Sequence, residues 1–217
     1  MAFYDSGSAT VFAGLQTNNK FSEKIVLNLD VGATEVLLDG FKAEFMREFM
    51  SRAELRFKTG VFEPGFYAEG GYRDFIDSSE NERDGPRAGV GLVDRVRAGR
   101  FSAGIRAGVF GEFAEGETQQ VDGIRATLGA TYQPGDFRIS AGVSYEYRRF
   151  KEIQSTDETQ VAEPRRIDQR LTPGLSLAYN INDRFGLNAR YSFVNNSSTS
   201  SFDYSRHLGQ AGVEVRW

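Results

Sequence analysis

Ser205, His207 and Asn195 are the residues of this chain best suited to covalent chemistry. In an extended segment Ser205 and His207 share one face, and Asn195 lies at the end of the strand before. A hydroxyl, an imidazole and an orienting amide can then meet for nucleophilic acyl transfer. The spacing is not specific, and no oxyanion donors are identifiable. Leu208 has the wrong parity for an apolar stripe, which predicts a bulge that turns His207 inward. Other covalent chemistry is scarce. With no cysteine and one histidine, the chain excludes a disulfide scaffold, a thiolate metal site, a cysteine nucleophile and a two-histidine zinc site. Gly89-Val90-Gly91 sits in an extended pattern rather than opening a helix, so no phosphate loop is expected. Glu80 and Glu82 read as solubilising loop carboxylates. The sequence predicts no metal and no cofactor.

Arginine is the reactive group present in quantity. Lys+Arg number 26 against 30 Asp+Glu, for a net charge of −4, which argues against a nucleic-acid binder. The positions of these charges follow a rule. Arg56, Lys58, Arg73, Arg106, Arg125, Arg138, Arg148, Arg190 and Arg216 alternate with apolar residues, as do Glu54, Glu69, Glu112, Glu146 and Glu214. On this polar parity basic residues outnumber acidic ones nearly two to one. The acidic excess falls in polar loops, as at Asp77, Glu80, Glu82 and Asp84.

The elements that position these charges show period-two alternation, the mark of strands with one apolar face. Residues 137–148 place Phe137, Ile139, Ala141, Val143, Tyr145 and Tyr147 opposite Arg138, Ser140, Gly142, Ser144, Glu146 and Arg148. The pattern predicts twelve strands: 8–17, 22–37, 41–49, 52–61, 66–76, 87–97, 100–114, 122–133, 137–150, 169–181, 184–195 and 205–217. Ten remain if residues 1–40 form a plug or appendage. Residues 41–57 also fit a helix through Phe41, Phe45, Phe49 and Ala53, but the strand reading, with a tight turn near Met50-Ser51, keeps the pattern found elsewhere. Turns at Ala98-Gly99, Pro134-Gly135-Asp136 and Asn182-Asp183 alternate with longer polar loops.

Twelve strands enclose too wide a space for Ala, Val and Leu to fill, so the apolar face is expected to point outward into lipid and the charged face inward. Phe101, Tyr132, Phe137, Tyr179, Phe185 and Trp217 lie beside the tight turns or the end of the sequence. Phe49, Tyr72, Phe113, Tyr145, Tyr147, Tyr191 and Phe193 lie near the long loops. These sets read as two interfacial girdles around an aliphatic band. No window approaches a membrane-spanning helix. The opening residues MAFYDSGSAT have no export-signal character, so an exported protein would correspond to a mature form given a start Met.

With this pattern and its Val213-Glu214-Val215-Arg216-Trp217 ending, the chain resembles the Gram-negative outer-membrane β-barrel family. The resemblance spans nearly the whole chain and is architectural, with no motif that fixes a subfamily. It implies an all-β, antiparallel, up-and-down transmembrane barrel over 1–217, lipid or detergent as surroundings, and the barrel-assembly machinery as a partner in biogenesis. In size, strand count and basic lumen the chain is similar to small twelve-stranded porins for acidic oligosaccharides. The expected function is a passive outer-membrane pore for small anionic solutes, with guanidinium groups lining it. The alternatives are a closed barrel that anchors acidic loops, in which pairs such as Glu54–Arg73 and Glu146–Arg125 fill the interior, and a lipid hydrolase using Ser205, His207 and Asn195.

Overall fold

A computed structural model describes residues 9–20, 24–38, 43–75, 84–116, 119–151, 165–200 and 203–215, with 9–20, 34–38, 43–45 and 214–215 described through their backbone. They form one sheet of eleven strands in which each pairs antiparallel with its neighbours in sequence. The strands are β1 (Ala9–Lys20), β2 (Ile25–Leu38), β3 (Ala43–Phe57), β4 (Gly65–Phe75), β5 (Gly85–Ala98) and β6 (Phe101–Glu112), then β7 (Val121–Tyr132), β8 (Phe137–Phe150), β9 (Ile167–Asn180), β10 (Phe185–Ser198) and β11 (Tyr204–Val215). Among the described residues no ladder joins β11 to β1.

The count is eleven rather than twelve because residues 43–57 are a single strand. Met50 and Ser51 pair with Gly32 and Val31 on one side and with Gly71 and Gly70 on the other, so no turn splits them. The Ser51 hydroxyl donates to Gly70 O of the neighbouring strand rather than closing a turn, and the parity of Glu48, Arg52, Glu54 and Arg56 runs through the segment unbroken. The helical alternative fails for the same reason. The ten-strand alternative, with a plug over 1–40, also fails, since 9–20 and 25–38 are β1 and β2 of this sheet.

Tight connections lie at one end. Gly99 and Gly135 take positive φ of 56° and 64° between β5 and β6 and between β7 and β8. Asn182 Oδ1 accepts the amide N–H groups of Arg184 and Phe185 at 2.8 and 2.9 Å, which closes the β9–β10 turn. The strand ends that flank the longer intervening stretches, Phe75 and Gly85, Glu112 and Val121, and Phe150 and Ile167, lie at the opposite end.

The sheet curls toward its charged face. Arg106 of β6 reaches Glu54 of β3, three strands away. On a flat sheet that span is roughly 14 Å. The concave face also holds the buried apolar residues Val26, Tyr67, Phe75, Val93, Phe110, Val121, Phe150 and Val194. The convex face leaves large apolar side chains open, with Leu92 60% and Val213 66% exposed. This arrangement inverts that of a water-soluble protein, and the predicted girdle residues Phe101, Tyr132, Phe137, Tyr179 and Phe185 belong to the exposed set. Phe137 and Tyr179 stack with ring centroids 4.6 Å apart. Trp217 lies outside the described residues.

In phospholipid vesicles, Leu128→Arg on the convex face near the middle of β7 should lower the unfolding free energy by about 2–4 kcal/mol, whereas Phe101→Arg at the tight-turn end should cost about 1 kcal/mol or less. Equilibrium urea unfolding monitored by far-UV circular dichroism checks both values.

Candidate functional site

Alternation sends the guanidinium and carboxylate groups of neighbouring strands to the concave face, where they assemble into three chains. In the first, Glu48 binds Arg87 and Arg73 at 2.5 and 3.1 Å, and Arg73 continues at 3.8 Å to Glu112, which binds Arg148 at 2.6 Å. In the second, Glu69 binds Arg52 at 3.4 Å and Arg125 at 2.8 Å, and Arg125 passes at 2.6 Å to Glu146, which lies 3.7 Å from Arg170. In the third, Glu54 binds Arg106 and, at 2.9 Å, Arg56; Arg56 also binds Glu63, which lies 3.2 Å from Arg97. Each chain reads Arg-Glu-Arg-Glu-Arg, so every carboxylate holds two guanidiniums and both ends of each chain are positive.

The chains cross strands because the register aligns them. Arg125 pairs with Glu146 across β7–β8, and Arg73 with Glu48 across β3–β4. Longer reaches, such as Arg125 to Glu69, depend on the curl. Aromatic rings support the guanidiniums: Arg106 lies 5.0 Å over Tyr67, Arg125 4.9 Å over Phe110 and Arg166 4.2 Å over Phe150. Tyr67 occupies space left by Gly91 and Gly108, and Phe110 that left by Gly123, since a side chain at any of these glycines would collide with the ring. The space beside Gly91, Gly108 and Gly123 is therefore filled by rings rather than open.

Two cavities flank the chains. At the long-loop end, a cavity of about 440 Å³ is lined by Arg73, Arg87, Arg148, Arg166, Arg170 and Arg206 against the carboxylates of Glu112 and Asp168. The Nε atoms of Arg73, Arg148 and Arg170 make no hydrogen bond among the described residues. Asp168 is fully buried, gripped by Arg166 at 2.6 and 2.9 Å and by the Ser198 hydroxyl at 2.6 Å. At the tight-turn end, a cavity of about 840 Å³ is lined by Arg95, Arg97, Arg100, Arg106 and Arg138, with Asp94 the one acidic residue.

The expected partners are partly rearranged. Glu146 does pair with Arg125, but Glu54 takes Arg56 and Arg106 in place of Arg73, which lies nearer the long-loop end beside Glu48 and Glu112. Lys58 follows β3 and is held by its backbone N–H to Lys24 O at 2.7 Å. Arg138 and Arg190 sit exposed on the same parity. Glu214 enters through its backbone pairing with Gly186, and Arg216 lies outside the described residues, as do Asp77, Glu80 and Glu82. Asp84 is buried rather than solvated, because its carboxylate accepts the Phe75 N–H at 2.6 Å.

Glu63 escaped the parity rule because it belongs to the 58–64 connection, yet it folds back onto Arg56 and is buried. Tyr67, Phe75, Phe110 and Phe150 were visible as aromatics on the polar parity, a signal of inward filling. Ser205, His207 and Asn195 gather on the convex face at the long-loop end. The register through Phe193↔His207 and Asn195↔Ser205 is unbroken, so no bulge turns His207 inward, and Leu208 faces the concave side opposite Ser192. The Ser205 hydroxyl donates to Asn195 Oδ1 at 2.9 Å, while His207 Nδ1 contacts the Tyr191 hydroxyl at 2.5 Å. The two groups are thus engaged separately rather than as a nucleophile and its base.

Removing Glu54 leaves Arg56 and Arg106 competing for less negative charge in a buried setting, so Glu54→Ala should destabilise by about 3–5 kcal/mol. Breaking the exposed Arg149–Asp122 contact at 3.8 Å by Arg149→Ala should cost about 1 kcal/mol or less. Urea titration of both variants tests the contrast.

No protein-family model and no curated protein matches the sequence. Solved structures do. The chain is similar to a loop-deletion mutant of OmpT, an outer membrane protein of Vibrio cholerae, with a TM-score of 0.54 and 9% identity over 98% of this chain and 96% of that one. In-vitro folded OmpT gives a TM-score of 0.53 and 9% identity over 96% and 89%. Outer membrane phospholipase A from Escherichia coli gives 0.52 and 11% identity over 96% and 77%. At these identities the likeness concerns architecture, and the architecture is that of bacterial outer-membrane β-barrels.

Proposed function

We propose that this protein is an outer-membrane pore that passes small anionic solutes along its arginine-lined concave face. The carrying observation is the charge of the two cavities: six arginines against two carboxylates at one end, and five against one acidic residue at the other. Because the Arg-Glu chains saturate their carboxylates, a passing cation meets no unclaimed acidic group in them, whereas an anion meets guanidiniums at every chain end. Transport on this reading is diffusion, with selectivity set by the fixed field rather than by a covalent step.

A closed barrel is the second reading. Its support is the filling of the concave face by the ion-pair chains and by Tyr67, Phe75, Phe110 and Phe150. Hydrolysis has weaker support, since Ser205 and His207 each bind a different partner.

Planar-bilayer recording across a potassium chloride gradient separates the readings. The pore reading expects discrete conductance steps and a reversal potential displaced toward that of chloride. Arg138→Glu, at an exposed lining position of the tight-turn cavity, should reduce that displacement without unfolding the protein. An absence of steps would favour the closed barrel, and cation preference would overturn the anion reading. Fatty-acid release from phospholipid micelles that disappears in His207→Ala would point instead to a hydrolase.

A further inference from the structure

On the convex face near the long loops, strands β5 to β8 enclose a groove of about 520 Å³ whose lining is mostly carbon. The register arranges that lining by depth. Val90, Val109, Ile124 and Tyr147 form one row across the four strands, and Ala88, Gly111, Asp122 and Arg149 form the next row toward the long-loop end. The rows are about 7 Å apart, two residues along a strand. Phe113 packs its ring against Gly111 at the head of the groove. From the middle of the wall outward, the lining therefore changes from a mostly aliphatic row to one that carries Asp122 and Arg149 beside the Phe113 ring.

The charged end favours an anion. Arg149 and Asp122 are about half exposed and 3.8 Å apart, a contact too loose and too wet to consume the guanidinium's fork of donors. Lys151, the exposed residue just past the end of β8, lies beyond the groove lining and is held by Gln120, its Nζ donating to Gln120 Oε1 at 2.5 Å. Arg149 thus offers its remaining donors at the rim of an apolar channel, with Lys151 beyond it and the exposed carboxylate of Glu115 past Phe113. A polar partner protein would leave the aliphatic row unmatched, and a bare anion would leave the groove empty. An acyl chain bearing a phosphate satisfies both parts.

We propose that this groove seats one acyl chain of a phosphate-bearing, anionic membrane lipid, with the phosphate on Arg149 and Lys151 and Asp122 orienting the guanidinium. The inference rests on the convex face being the lipid-facing wall and is independent of whether the interior conducts.

Native mass spectrometry of the protein refolded in a neutral detergent, with phosphatidylglycerol or phosphatidylcholine of identical chains added, tests it. The expected result is preferential retention of one phosphatidylglycerol. The double variant Arg149→Gln/Lys151→Gln should reduce that retention about tenfold, the worth of one charge-assisted hydrogen bond. Ala88→Trp, which fills the groove from an exposed position, should reduce retention of both lipids, whereas Leu187→Trp on distant β10 should change neither. Equal retention of the two lipids by the folded wild-type protein, or full retention by Ala88→Trp, would overturn the seat and leave the lipid-facing wall standing. Folding without any amphiphile would overturn both.

Discussion

A guanidinium on the concave face of this sheet is separated from the surroundings of the apolar face by a single layer of backbone, and the curl of the sheet crowds it against its neighbours. Removing such a charge from water is expensive unless a carboxylate and hydrogen-bond acceptors stand close by. The packing of the concave face follows from that constraint. Six carboxylates are each shared between two guanidiniums, and the nine arginines so engaged form three chains rather than isolated pairs. Sharing gives each of these six carboxylates two cationic partners while leaving each chain with a surplus positive charge.

The same residues can therefore serve two purposes that usually compete. Ion pairing binds strands three apart, as Arg106 does with Glu54, and so helps hold the curl of the sheet. The surplus of arginine gives the interior a field of one sign, the property on which the proposed anion selectivity depends. Aromatic residues divide the interior further. Tyr67 and Phe110 lie in hollows over glycines of the neighbouring strands and offer their ring faces to Arg106 and Arg125. Bulk and charge are thereby concentrated in the middle, with basic cavities at either end.

The convex face obeys a simpler rule, that apolar side chains remain open, and its exceptions are informative. Arg149 and Asp122 lie above an aliphatic groove at the long-loop end, and Ser205, His207, Asn195 and Tyr191 form a polar cluster on β10 and β11. Both groups lie toward the long-loop end of the sheet, away from the aliphatic middle of the convex face.

Much of this architecture was legible in the alternation alone. A strand turns successive side chains to opposite faces, so parity alone places Arg73, Arg106, Arg125 and Arg148 together and Leu128, Leu175 and Leu187 opposite them. Turn chemistry located the connections at Gly99, Gly135 and Asn182 for equally local reasons. Strand number is not legible at Met50-Ser51, where uninterrupted parity is compatible with one long strand or with two joined by a turn, and pairing on both sides decides between them. The choice of partner for each charge was hidden as well. Glu54 meets Arg106 rather than Arg73, Glu63 enters from a connection, and Asp84 is buried against a backbone amide, because these contacts depend on stagger and curl. Parity specifies which face a side chain occupies; how far along that face its partner lies, and across how many strands it can reach, are properties of the assembled sheet.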